Sequence, residues 1–202
     1  MPAGSYFGQF GLYAGRNFLS ADVCAAVRAE MAGARGVPGE VWNPHDGERV
    51  DIEAKRRTEM IGVSDAEGAM HDRLLAVMPD LARHFNVELS GVQPLKFVRY
   101  DPGDFYGLHA DVPADPGAPA IVRERKVSVV VFLNAEGEEP GEGDYGGGNL
   151  TFYGLLPGHG WQNFGHPLTA EEGLLIAFRP DTPHEVTPVR WGTRYTVTTW
   201  FF

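Results

Sequence analysis

The chain has 202 residues, of which 43% are apolar and 22% charged, the composition of one globular domain able to bury most of its apolar surface. Its net charge of −10 argues against nucleic acid or an anionic membrane as partner, since both select basic surfaces. The single cysteine, Cys24, rules out an internal disulfide, and there is neither an apolar run near the roughly 20 residues of a membrane span nor a signal peptide, so a cytoplasmic location is expected.

The 26 glycines and 15 prolines favour many turns and short strands over a helical bundle. Ser20 is placed to cap a first helix reaching about residue 34, with Val23, Val27 and Met31 on one face and Cys24 as a small core residue. Residues 36–63 read as edge strands and a loop. They include Trp42-Asn-Pro-His45-Asp-Gly and the charged run Glu53-Ala-Lys-Arg-Arg57, whose simplest reading is a solvated face and whose alternative is a substrate contact. Ser64-Asp-Ala-Glu67 has the form of a capping box. It opens a second helix with Met70, Leu74, Val77, Met78, Leu81 and Phe85 along one stripe, which Pro79 should bend or interrupt.

From residue 94 the texture changes to short β runs between turns. Residues 95–100 precede the turn signal Asp101-Pro-Gly-Asp104; residues 105–112 follow. The run KVSVVVFL at 126–133 predicts a buried strand, and the acidic, glycine-rich segment 135–148 predicts a mobile loop. Strands at 149–153, 173–178, 185–189 and 194–201 complete the set. The fold class predicted is mainly β, a double-sheet jelly roll over 94–202 with helix-rich support over 1–93, in a single domain.

Alternation along a strand points His109 and Asp111 of His109-Ala-Asp111 to the same side. A third ligand must come from a distant strand, and His184 in Pro183-His-Glu is the best candidate. Two imidazoles and one carboxylate on one face of an octahedral ion are the non-heme Fe(II) oxygenase pattern, with positions left for a 2-oxo acid and O₂. His45, His71, His84, His159 and His166 have no partners at ligand spacing and are expected in loops or on the surface. On the last strand Arg194, Thr196, Thr198 and Trp200 share a face. A guanidinium inside a sheet needs an anion, so Arg194, with the Thr198 hydroxyl, is expected to bind the distal carboxylate of 2-oxoglutarate; the alternative is a structural ion pair. Tyr100 either donates its phenol to that carboxylate or is an ordinary buried tyrosine.

These stretches, with Val127-Ser-Val-Val-Val-Phe-Leu-Asn134 and Gly146-Gly-Gly-Asn-Leu-Thr-Phe152, make residues 94–202 resemble the prolyl-4-hydroxylase-like group of iron(II)/2-oxoglutarate dioxygenases. The resemblance implies a double-stranded β-helix, Fe(II) on His109, Asp111 and His184, 2-oxoglutarate on Arg194, O₂ as oxidant and ascorbate as a reductant. It implies hydroxylation of an unactivated C–H bond, of a prolyl residue in a peptide or protein or of a free amino acid or small metabolite. Ser128 stands where relatives carry threonine and keeps a hydroxyl for the co-substrate site. Phe132 stands where relatives often place a tyrosine against 2-oxoglutarate, and that hydroxyl is lost. Asp111 sets aside the halogenating relatives, and Trp200 sets aside the nucleic-acid demethylating ones. A cupin-like metalloenzyme without 2-oxoglutarate and a non-catalytic jelly-roll binding module are the other classes. Oligomeric state is not legible in the sequence.

Overall fold

The structure, a computed structural model, describes residues 6–43, 47–112, 115–156 and 163–202. A 3₁₀ turn (Tyr6–Phe10) and β1 (Tyr13–Gly15) precede α1 (Ala21–Gly33). Five short strands follow: β2 (Arg35–Pro38), β3 (Val41–Asn43), β4 (Gly47–Arg49), β5 (Lys55–Arg56) and β6 (Thr58–Ile61). Then come α2 (Ser64–Phe85), β7 (Lys96–Tyr100), β8 (Phe105–His109), the single turn α3 (Ala120–Arg123) and β9 (Val127–Phe132). The rest is β10 (Tyr145–Gly147), β11 (Leu150–Phe152), β12 (His166–Leu168), β13 (Leu175–Phe178), β14 (His184–Val186), β15 (Val189–Gly192) and β16 (Arg194–Phe201).

Two antiparallel sheets carry the molecule, one ordered β1-β13-β9-β16-β7-β6-β2 and the other β12-β11-β14-β8-β5. β9 shows why the run KVSVVVFL is apolar throughout. Val127, Val129 and Val131 pack under the helices against Cys24, Val27, Met31, Met70 and Leu74. Val130 and Phe132 face the other way, into the core between the sheets with Leu150, Phe152 and Val186. Both faces are buried, so the strand has no polar alternation. β16 lies beside β9, with Thr196 opposite Phe132 and Trp200 opposite Ser128, which turns Arg194, Thr196, Thr198 and Trp200 to the same interior.

The expected jelly roll is present, and the first ninety residues add strands to it as well as helices. β1, β2 and β6 extend the larger sheet, while β5 forms the edge of the smaller one. Three local expectations change. The helix of the second stripe runs through Pro79 without a break; residues 75 and 79 are both exposed, so the carbonyl that proline leaves unbonded is on the solvent side. Its N-cap position is Val63, and the carboxylate that receives its first amides is that of Glu30, at 3.1 Å from Asp65 N and 2.9 Å from Ala66 N, so the cap comes from α1. Segment 135–148 is a loop that folds back on itself, Asp144 N donating to Ala135 O and Gly137 N to Tyr145 O, and it ends in β10, which pairs with β15. Its end, Tyr145 to Gly148, is buried. No helix among the described residues is long and apolar enough to cross a membrane.

Candidate active site

His109 closes β8, His184 opens β14, and the two are paired across the strands. Asp111 follows β8 in a turn anchored by its own amide on Pro180 O at 2.8 Å. His109 Nε2 lies 3.6 Å from Asp111 Oδ1 and His184 Nε2 3.8 Å from Asp111 Oδ2. The three ligand atoms all lie within 4.8 Å of one another, a set that could hold a metal ion. Each imidazole is oriented from behind. His109 Nδ1 meets Gly107 O at 2.8 Å and His184 Nδ1 meets Thr182 O at 2.9 Å, so the proton sits on Nδ1 and the Nε2 lone pair faces Asp111. Tyr106 stacks on His109, ring centres 3.6 Å apart, and Phe178 packs edge-on against His184 at 4.8 Å.

Electrostatics prepare this set for a cation. Burial opposes ionisation of Asp111, but His184, His109 and the Ser128 hydroxyl outweigh it and hold the carboxyl well below the usual carboxylate range. Burial also pushes His184 down, to about 4, against the pull of Asp111. At neutral pH the site therefore offers a charged carboxylate and, at His184, a neutral imidazole.

The set lies in a cavity of about 470 Å³. Tyr100, Arg194, Thr198 and Trp200 line it, as expected, with Tyr106 and Val130. Arg194 is 1% exposed and has no carboxylate within 4.0 Å among the described residues; its Nη1 donates to Thr196 Oγ1 at 3.4 Å. The guanidinium lies over the rings of Tyr100 and Phe132, 5.0 and 5.2 Å from their centres. Arg194 Nε and Thr198 Oγ1 are buried without a hydrogen bond. A buried cation and an unsatisfied hydroxyl lining one cavity are a combination that a ligand carboxylate would satisfy.

Ser128 donates its hydroxyl to Asp111 Oδ2 at 2.6 Å, so the group expected in the co-substrate site is engaged with the carboxylate of the metal-binding set. The charged run also differs from a solvated face. Lys55 and Arg57 are 2% and 8% exposed and line the cavity, while Arg56 between them points outward onto Asp104. Arg57 donates to the Tyr100 phenol at 3.3 Å, and Lys55 lies over the Tyr106 ring. Arg125, which the sequence did not single out, stacks 3.6 Å over Trp200 and donates to Asp111 O. The in–out–in spacing of Lys55, Arg56 and Arg57 was the available signal; nothing local marked Arg125. His71 and His84 are exposed, His166 lies on β12, and His45 and His159 fall outside the described residues.

Comparison with known proteins fits this geometry. A PKHD-type hydroxylase of Nitrobacter winogradskyi is 34% identical over 111 residues, covering 54% of this chain and 43% of that protein. One from Klebsiella pneumoniae is 28% identical over 190 residues, covering 90% and 74%. A prolyl-4-hydroxylase from Pseudomonas putida superposes with a TM-score of 0.64 over 95% of this chain and 91% of its own, at 24% identity. A Trichoplax adhaerens prolyl hydroxylase, solved with a hypoxia inducible factor peptide fragment, gives 0.71 over 95% and 83%, at 21% identity. At these identities the structural likeness is one of fold. The model of the 2OG-Fe(II) oxygenase superfamily matches residues 95–202, a stretch that holds His109, Asp111, His184 and Arg194 and more than half of the chain, and the chain belongs to that superfamily.

Proposed function

We propose that the chain is an Fe(II)- and 2-oxoglutarate-dependent hydroxylase, one domain serving one site, that acts on an unactivated C–H bond. The observation that carries the reading is one cavity holding both a buried His109–Asp111–His184 set and a buried guanidinium without a counter-ion among the described residues. Fe(II), 2-oxoglutarate and O₂ supply the oxidising power when bound. The chain's own residues hold, orient and exclude. His109, Asp111 and His184 hold the iron, with Gly107 O, Thr182 O and Ser128 fixing their orientation. Arg194 binds the distal carboxylate with Thr198 and Tyr100, and Trp200 and Tyr106 wall the substrate side. Ascorbate serves as reductant, and a reducing cytoplasm suits a chain whose one cysteine is buried and unpaired.

The substrate we propose is a prolyl residue in a peptide or protein, supported by the kinship to PKHD-type hydroxylases and by the fold shared with a prolyl hydroxylase solved with a peptide. A free amino acid or small metabolite is the second class, separated by screening peptides and amino acids in parallel for stimulated succinate release. The reading itself is tested by anaerobic titration with Fe(II) and 2-oxoglutarate. A weak visible charge-transfer band that needs both is expected; its absence in folded protein overturns the reading. Arg194→Ala should raise the 2-oxoglutarate requirement at least about 10-fold and leave the iron requirement nearly unchanged, as loss of one charged hydrogen-bonding partner predicts. Equal losses of both would give Arg194 a folding role instead.

A further inference from the structure

Tyr145 is a buried phenol that the site as described does not use. It heads β10, inside the acidic segment 135–148, and is 0% exposed. Its oxygen is out of solvent and has no partner at full hydrogen-bond geometry, a condition it shares with Arg194 Nε and with Glu136 Oε2, although Arg194 is close enough to act on the phenol. Buried polar atoms without partners are few in folded proteins, and a donor, a hydroxyl and an acceptor left open in one region form a complementary set.

The ring reaches Arg194. A Cβ built on Gly148 would lie 3.0 Å from Arg194 Cδ and 3.6 Å from Tyr145 Cε2, so the bare backbone at 148, held at φ +64°, is what lets ring and arginine stem lie side by side. Burial raises the Tyr145 phenol to about 12, with Arg194 pulling it back and Glu136 pushing it further, so the phenol stays protonated and both groups act on it. Glu136 is held on its other oxygen by Asn149 Nδ2 at 2.6 Å. Of the two rings that the guanidinium lies over, Phe132 carries no hydroxyl, and the Tyr100 hydroxyl receives a hydrogen bond from Arg57.

We propose that Tyr145 is a positioning residue for 2-oxoglutarate, acting through Arg194: its phenol oxygen accepts from the guanidinium while its hydrogen is directed to Glu136, fixing the arginine's aim into the cavity. This places on β10 an orienting hydroxyl that β9, with Phe132, does not provide. The inference rests on the proposed function, since it concerns how the co-substrate is held.

The test measures binding, without turnover, to the Mn(II)-loaded full chain in the absence of O₂. Calorimetry compares 2-oxoglutarate with 2-oxopentanoate, a 2-oxo acid of equal length without the distal carboxylate. Tyr145→Phe should raise the 2-oxoglutarate Kd by about 10-fold or more, the worth of a hydrogen bond to a charged group, and leave the 2-oxopentanoate and Mn(II) constants unchanged. Adding Phe132→Tyr to that variant should recover most of the loss, by returning a hydroxyl to the guanidinium from the ring at position 132. An unchanged ratio of the two constants, or an equal loss for both ligands, makes Tyr145 a packing residue and overturns the inference. Failure of the unmodified protein to prefer 2-oxoglutarate would instead remove the function on which the inference stands.

Discussion

At the scale of single residues, the hydroxyl of Ser128 is engaged with the carboxylate of the metal-binding set. It reaches Asp111 Oδ2 at 2.6 Å in a site where both side chains are nearly out of water. Partners of this kind set a ligand's orientation and basicity, and their loss weakens metal affinity by about 10- to 100-fold. Ser128→Ala should therefore raise the Kd for Zn(II) or Mn(II), read by competition with a chelator, while Ser128→Thr keeps it near the original. The 2-oxoglutarate constant at saturating metal should stay put; a shift there with metal affinity intact would return Ser128 to the co-substrate. The residues legible in the sequence were those whose chemistry demands partners: His109, Asp111, His184 and Arg194. Alternation along a strand gives the face of a side chain and not its neighbour from another strand. That is why the hydrogen bond from Ser128 to Asp111, which arrives from the end of β8, was not legible.

The elements follow the same division between local pattern and long-range contact. The stripe of α2 was readable because its buried positions, Met70, Leu74 and Leu81, are set by its own periodicity. Its start was not, because the acceptor for its first amides is Glu30, 34 residues before the helix begins. Glu30→Ala should lower the unfolding free energy by about 1 kcal/mol, the typical worth of an N-terminal cap, read from the urea midpoint at constant slope. Glu67→Ala, the change that a local capping box would make harmful, should lower it by less than about 0.5 kcal/mol. The reverse order would restore the box. Segment 135–148 was legible as a loop but not to its end: an average over its glycines and acids hides one aromatic side chain, Tyr145, that draws the end into the core. The jelly roll itself was legible from its short, turn-bounded strands. The membership of β1 in the larger sheet was not, because its partner β13 lies far along the chain, whereas β2 and β6 fall in or beside the stretch read as edge strands and join the sheet through β7.

For the whole molecule, an acidic chain encloses a cation-rich cavity wall. Glu59 is shared by Arg57 at 2.8 Å, Lys96 at 3.3 Å and Lys55 at 3.9 Å. Lys55 is lowered from its ordinary 10.5 to about 7, by burial first and then by Arg57 and Lys96, against the attraction of Glu59 and Glu40. The sign of the consequence follows from proton counting. Between about pH 7 and its ordinary value, an unfolded Lys55 binds a proton that the folded one has released, so the unfolded state binds more protons and stability rises with pH across that window. Cys24, raised by burial to about 11, and the buried tyrosines act in the opposite direction, and only once their unfolded forms ionise near pH 9 and above. The rise due to Lys55 is therefore to be sought between pH 7 and about 9, as the difference between the protein and Lys55→Met. The variant's unfolding free energy should be the flatter of the two across this range, so that any advantage it holds at pH 7 shrinks as pH increases. Parallel curves would mean that Lys55 keeps its proton in the folded cavity, with the anions around it outweighing its burial.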